Sequence, residues 1–424
     1  MRLRRLLQVG VVLGAIFWLL HTYTLATLLS PSASWLVYDR RGLFLGQLNV
    51  QADGYGYWPL ADLPPRVAAA TLALEDRRFW QHPGVDAYAL GRALWQNAHN
   101  GRRISGASTL AMQLARMQHP APRTQLAKLR EMGVALWLTQ RWGREAVLRH
   151  YLQLAPYGNR IHGIGAAAWY YFDKPPEDLS WAEMALLTAI PQAPSRMNPL
   201  RPRGLHRAKQ RGARILAQLH TQGTLSSAEY RLAQQQLAHL PAPVRKQRPS
   251  ATLHALLALE TVLRQRPPAY PLVRSTLDLH LTQQAQALLQ QRLPQWQGRG
   301  AENAALLIVA PQSGAILVYV GSADYFQAAQ HGAVDFARLR RPAGSTLKPF
   351  FYGLALEQGS LRPDSLLPDL PYHTPGQFQN ADLDHLGWLR PRQALANSRN
   401  LPAVQVLAQI GLERAYTWLG EIGV

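Results

Sequence analysis

Apolar and polar positions alternate differently in successive parts of the chain. Residues 6–20 are apolar almost without a break, and the run weakens towards residue 29. From residue 67 to about 219, apolar residues recur three and four apart, most clearly in 126–138 and 182–190. That period predicts a helical domain, punctuated by Pro120, Pro122, Pro156, Pro175, Pro176, Pro191 and Pro194. A segment mixing proline and charge follows (Pro241, Pro243, Arg245, Lys246, Arg248, Pro249) and predicts a domain boundary. Ser275-Thr276-Leu277-Asp278 is a capping signal for a helix running to about residue 293. The texture then turns to strand: β-rich runs at 304–310 and 315–320 flank Pro311-Gln312-Ser313-Gly314, the signature of a hairpin. A second domain, of mixed α/β type, is therefore expected from about residue 250, and a length of 424 residues fits two or three domains.

The first apolar run changes meaning once charge is added. Arg2, Arg4 and Arg5 precede it, and no residue from 6 to 38 carries a formal charge apart from His21 when protonated. About 24 residues rising ~1.5 Å each give roughly 36 Å, enough to cross a bilayer. The arginines predict a cytoplasmic N-terminus with the remainder outside. The alternatives are a signal peptide cleaved near Ser32-Ala33-Ser34, or a buried helix. The chain has 45 Lys+Arg against 25 Asp+Glu, a net charge of +20, which favours nucleic acid, anionic headgroups or phosphorylated substrates. No zinc spacing or compact nucleic-acid module is present, so a membrane and not nucleic acid is the expected partner. There is no cysteine, which excludes disulfides, thiolate metal sites and a cysteine nucleophile.

Three stretches of the helical domain carry candidate chemistry. In residues 73–86 a helix from about Arg66 is expected to end near Arg77, where a Pro/Gly loop begins. Glu75 and Asp76 are adjacent, so they face different ways and one of them lines a cleft. A carboxylate at a helix C-terminus feels the negative dipole end, which raises its pKa and suits a general base; a solvated helix end is the plainer reading. In residues 106–116, Ser105 or Ser108 is expected to cap a helix that Pro120 ends, with Thr109, Gln113 and Arg116 on one face. In the third stretch Lys128 and Glu131 lie at i and i+3, the spacing of a surface ion pair.

Taken together these stretches resemble glycosyltransferase family 51, the polymerase domain of class A penicillin-binding proteins. The first motif of that family, E-D-x-x-F-x-x-H-x-G-x-D, is matched by Glu75, Asp76, Phe79, His82, Gly84 and Asp86. The second, G-x-S-T-x-x-Q-Q-L-x-K, is matched by Gly106, Ser108, Thr109, Gln113 and Leu114. It departs at Met112, which resembles the 1C subgroup, and at Arg116 in place of lysine. The third, R-K-x-x-E, keeps Lys128 and Glu131 but has Ala127 for arginine. Tyr151-Leu152-Gln153, Gly163, Ala167, Tyr171, Phe172, Lys174, Glu183, Leu187, Pro191, Pro194, Asn198 and Pro199 extend the match, which covers about residues 35–220.

The resemblance implies a lysozyme-like, mainly α domain that polymerises lipid II into glycan strands, inverting the anomeric carbon and releasing undecaprenyl pyrophosphate. Glu75 would be the catalytic base and Glu131 the second essential carboxylate. Asp76, Phe79, His82, Ser108, Thr109, Gln113, Arg116 and Lys128 would line the substrate site. Lys128 and Arg116 would steady the leaving group, with no cofactor required beyond a possible divalent cation (Mg or Mn) at the donor pyrophosphate. Arg116 keeps the charge of the usual lysine but not its donor geometry.

A second resemblance covers the C-terminal part. Ser345-Thr346-Leu347-Lys348 is an S-x-x-K element, and Ser398-Arg399-Asn400 supplies S-x-N. Both resemble the β-lactamase-like α/β transpeptidase domain of the same proteins. This implies Ser345 as acyl nucleophile, Lys348 as its base, and Ser398 and Asn400 as proton-relay and substrate contacts. The third element of that domain, Lys-Ser/Thr-Gly, does not occur before Val424. An incomplete domain with little transpeptidase activity and weak β-lactam acylation is therefore expected.

The expected organisation is a cytoplasmic tail and transmembrane anchor (1–30), a glycosyltransferase domain (31–240), a linker region (241–300) and a partial transpeptidase domain (301–424). The expected setting is a single-pass protein of the bacterial inner membrane, with its catalytic domains in the periplasm. Its expected partners are lipid II, the growing glycan strand and other cell-wall synthesis proteins. Two other readings stand beside this one: a lysozyme-like hydrolase, and a non-catalytic cell-wall scaffold or penicillin-binding remnant.

Overall fold

The structure, a computed structural model, describes residues 2–31, 33–48, 57–99, 108–371 and 378–423, with backbone alone at 2–9, 11, 94, 97 and 98. Gly106 and Ser105 lie outside the described residues. The chain folds as two compact units, Met1–Arg338 and Leu339–Val424.

In the first unit, helix α1 (Arg2–Leu25) is followed by strands β1 (Trp35–Tyr38) and β2 (Phe44–Leu48). A helical body comes next: α2 (Pro65–Glu75), α3 (Ala87–His99), α4 (Leu110–Gln118), α5 (Gln125–Leu154), α6 (Ile164–Phe172), α7 (Trp181–Ala189), α8 (Pro202–Thr221) and α9 (Ser227–His239). Its core is built on Trp58, Phe79, Leu110, Leu114, Leu148 and Tyr151, all essentially inaccessible to solvent. α4 packs on α5, and α8 lies across α2, α7 and α9. α5 is broken at Gly143, whose φ of 81° leaves the helical region. α1 lies on α5 where Gly133 is bare: a Cβ there would sit 2.7 Å from the Trp18 ring. Among the described residues no helix is long and apolar enough to cross a membrane.

Residues between the helical body and the hairpin are folded. They form α10 (Leu253–Gln265), β3 (Leu272–Arg274), α11 (Leu279–Arg292) and α12 (Pro294–Gln297). β1 is the centre of a sheet ordered β2-β1-β3, antiparallel to β2 and parallel to β3. The pairing of β1 with β3 joins segments more than 230 residues apart, so no local pattern announced it. Buried Asp39 locks the junction: its carboxylate accepts from the Arg41 and Leu43 amides at 2.8 Å and from Leu279 N at 3.1 Å. Asp278 caps α11, as the capping signal predicts, by accepting from Leu281 N. β4 (Leu306–Val309) and β5 (Ile316–Val320) form the expected antiparallel hairpin. The proline-and-charge segment runs back along the helical body, where Lys246 pairs with Asp173 and donates to Tyr38 Oη and the Trp169 carbonyl, each at 3.2 Å.

The second unit holds α13 (Lys348–Glu357), β6 (Leu367–Asp369), β7 (Gly387–Leu389), α14 (Pro391–Ala396), α15 (Asn400–Ile410) and α16 (Leu412–Glu421), with β6 and β7 antiparallel. Its core gathers Tyr352, Leu354, Leu361, Leu367, Val406 and Ile410.

Candidate active site

α2 starts on Pro65 at its first turn and ends at Glu75, two residues before the end expected from the sequence. Asp76 leaves the helix with φ −158° and turns its carboxylate inward. Its Oδ2 accepts from Leu110 N, the first amide of α4, and its Oδ1 from His82 Nε2, both at 2.9 Å. Gly84 N donates to His82 Nδ1, so the imidazole carries its proton on Nε2 and gives it to Asp76. Phe79, His82 and Asp76 are buried, and their groups hold the loop of residues 76–86 to the start of α4. Gly84 permits this approach: its φ is +110°, and a Cβ would come within 2.3 Å of the Ala135 carbonyl.

α4 is capped by Thr109, which corrects the expectation of Ser105 or Ser108. Thr109 Oγ1 accepts from Met112 N and donates to the Gly84 carbonyl. One hydroxyl thus both caps the helix and ties it to the loop. Ser108 is left to accept from Lys128 Nζ at 2.6 Å, and Lys128 also pairs with Glu131 at 3.0 Å. These two residues of α5 are therefore more than a surface ion pair, because they reach the edge of the same cleft.

Glu75 keeps both carboxylate oxygens at the cleft. Arg211 of α8 donates from Nη2 to Oε1 at 2.6 Å, and Gln113 Nε2 donates to Oε2 at 3.2 Å. Both partners of the ion pair are largely shielded from water, at 15% and 12% side-chain exposure. The cleft, of about 380 Å³, is lined by Glu75, Asp76, Arg77, Arg78, Arg92 and Ser108 among others. Arg116, on the last turn of α4, has no ion-pair partner among the described residues. It acts on the same place: the buried Tyr151 phenol is pushed up by burial and by the charge of Glu75, while Arg116 and Arg211 pull it down. Glu75, Gln113, Arg116 and Arg211 thus share one neighbourhood, and Ser108, Lys128 and Glu131 border it. Arg211 was missed from the sequence. The available signal was the i, i+4, i+7 row of Arg207, Arg211 and Arg214, which the helical period alone reads as a solvated face.

In the second unit Ser345 lies in a 3₁₀ turn, Gly344–Leu347, and Lys348 opens α13. Lys348 Nζ donates to Asn400 Oδ1 and the Ser398 carbonyl at 2.6 Å, and to Ser398 Oγ at 3.3 Å. Among the described residues Ser345 Oγ makes no hydrogen bond. Burial, with help from the nearby Arg399 cation, lowers the Lys348 pKa. Arg399 is buried between Asp369 and Asp382, at 2.7 Å from each, and Ser398 is held at φ +50°. A non-glycine residue in that region is strained by about 1–3 kcal/mol and stays there only when its surroundings fix it.

Residues 43–220 match the Transglycosylase family, and residues 304–424 match the family described as Penicillin binding protein transpeptidase domain. The chain belongs to the class A penicillin-binding proteins, with a helical transglycosylase domain preceding a transpeptidase domain. It is similar to penicillin-binding protein 1C of Escherichia coli strain K12, 37% identical over 88% of this chain and 47% of that one. It is also similar to penicillin-binding protein 1F of Bacillus subtilis strain 168, 30% identical over 86% of this chain and 51% of the other. The chain thus spans about half the length of these curated relatives. A crystal structure of penicillin-binding protein 1A from Haemophilus influenzae is similar more loosely, at 18% identity and a TM-score of 0.43, over 93% of this chain and 64% of that one.

Proposed function

We propose that the chain polymerises lipid II into glycan strands, working at the surface of a bacterial inner membrane with its folded units on the periplasmic side. The observation that carries this reading is a single cleft lined by both Glu75 and Ser108, with the Lys128 ammonium, paired to Glu131, donating to Ser108 at its edge. Oε1 of Glu75 accepts from the Arg211 cation, whereas Oε2 accepts only from a neutral amide and is the more basic oxygen. It takes the proton of the acceptor sugar's 4-hydroxyl as that oxygen attacks the donor's anomeric carbon. The bond from that carbon to the pyrophosphate breaks on the opposite face, inverting the configuration. Charge grows on the departing diphosphate, where Lys128 and Arg116 stabilise it in place of water. Glu131 keeps the Lys128 ammonium in position.

Among the described residues no three His, Cys, Asp or Glu side chains gather into a metal site. Glu131 would be a single carboxylate ligand, with the diphosphate supplying the rest. α1, with its exposed Leu13, Phe17 and Leu20, is proposed as the element that keeps the cleft beside a lipid-borne substrate. Ser345 is proposed as the penicillin-reactive serine, with Lys348 as its base. Supplying lipid II to the full chain in liposomes tests the polymerase reading: long glycan strands support it, shortened glycans point to a hydrolase, and no glycan product leaves a scaffold.

A further inference from the structure

The cationic surface of the helical body is not spread evenly. α8 shows Arg207, Arg211 and Arg214 on one side, across from Gln192 and Arg196 in the turn that follows α7. These side chains enclose a cavity of about 470 Å³ with no acidic residue in its wall. A second cavity of about 560 Å³ shares Arg196 and Arg207 with the first and adds Arg201 and Arg203, again without an acid. The two share a wall and run along α8 from Arg201 to Arg214, past Arg211, whose guanidinium pairs with Glu75. The turn stands close to the helix because Gly204 carries no side chain: a Cβ there would meet the Asn198 carbonyl at 2.1 Å.

Two facts set this groove apart from an ordinary basic surface. Among the described residues, Arg196, Arg207 and Arg214 have no ion-pair partner, whereas Arg211 spends one nitrogen on Glu75. Arg211 Nε is buried and has no hydrogen-bond partner. An unpaired buried donor of a guanidinium is costly unless something accepts from it. A row of planar, forked donors fits carboxylates or phosphates, and guanidinium binds them in bidentate fashion.

We propose that this groove binds the carboxylates of the peptide carried by the incoming sugar substrate, and so seats the acceptor hydroxyl at Glu75. The identity of the anion rests on the polymerase reading; the groove's taste for carboxylate does not. Diphosphate has the same chemistry, so the test separates the two sources. A fluorescent disaccharide-peptide with free carboxylates, lacking lipid and pyrophosphate, is titrated into the full chain and followed by anisotropy. Because it has no leaving group, the reading is one of binding alone. Arg207→Ala and Arg214→Ala, both at exposed positions, should each weaken binding roughly fivefold. Arg207→Lys should recover part of the loss, added salt should weaken the wild type towards the variants, and amidating the probe's carboxylates should weaken it similarly. A peptide-free disaccharide on lipid pyrophosphate should bind wild type and variants alike. Equal binding of the peptide probe by wild type and variants would overturn the proposal, as would a loss confined to the pyrophosphate ligand. Failure of the chain to polymerise lipid II would count against the polymerase reading and leave the peptide-binding result standing.

Discussion

Arg211 reaches across 136 positions of sequence to place Nη2 2.6 Å from Oε1 of Glu75, so the end of α2 is held by the middle of α8. The pair fixes which way the carboxylate faces and leaves Oε2 with only the Gln113 amide. Replacing Arg211 with alanine removes a charge-assisted hydrogen bond, typically ~1.5–3 kcal/mol. If the bond matters fully in the transition state, kcat for glycan synthesis falls about 10- to 100-fold. Arg211→Lys should rescue part of it, since the bond uses a single guanidinium nitrogen and an ammonium keeps the charge. Single-turnover kinetics on lipid II would measure both.

Asp76 is adjacent to Glu75 in sequence but has a different task. Asp76→Ala strips the partner from the Leu110 amide and from His82 Nε2, both buried. Each orphaned donor costs about 1–3 kcal/mol. The expected result is a lower midpoint in urea unfolding.

Glu183 gives the helical body a pH-dependent term. Burial raises its pKa, but hydrogen bonds from Lys174 and Ser180 outweigh that and hold it below 4.5. A carboxylate depressed in the folded state adds stability above its unfolded value and loses it as pH falls through the folded one. Thermal midpoints of wild type and Glu183→Gln should therefore differ most near neutrality, with the gap closing below about pH 4.5.

For the second unit, Lys348 supplies the pH signature. Its pKa is lowered from 10.5, chiefly by burial, so more of it is neutral at a given pH than in an ordinary lysine. Whatever labelling the chain shows with a fluorescent penicillin should disappear in Ser345→Ala. In the wild type its rate should rise with pH and level off below 10.5. Labelling that persists in Ser345→Ala would remove that serine from the account.

What the sequence made legible was local. The motif around Glu75 places a carboxylate at a helix end, the pair Lys128 and Glu131 sits one turn apart on α5, and Asp278 caps α11. What escaped depends on distant partners. Ser108 and Thr109 are equally good caps by residue type, and only the Gly84 carbonyl and the Lys128 ammonium decide which caps and which binds. Arg211 looks like one basic residue among many until α8 crosses α2. The parallel pairing of β1 with β3 has no turn signal at all, since the whole helical body lies between them.

The polymerase reading depends on one proton leaving the acceptor sugar for Glu75. The most direct measurement is the rate of glycan synthesis from lipid II by Glu75→Gln, with lipid II binding measured alongside. Loss of the base should lower kcat by about 10²–10⁴-fold while binding stays within a few-fold of the wild type. A variant that polymerises at the wild-type rate would contradict the account.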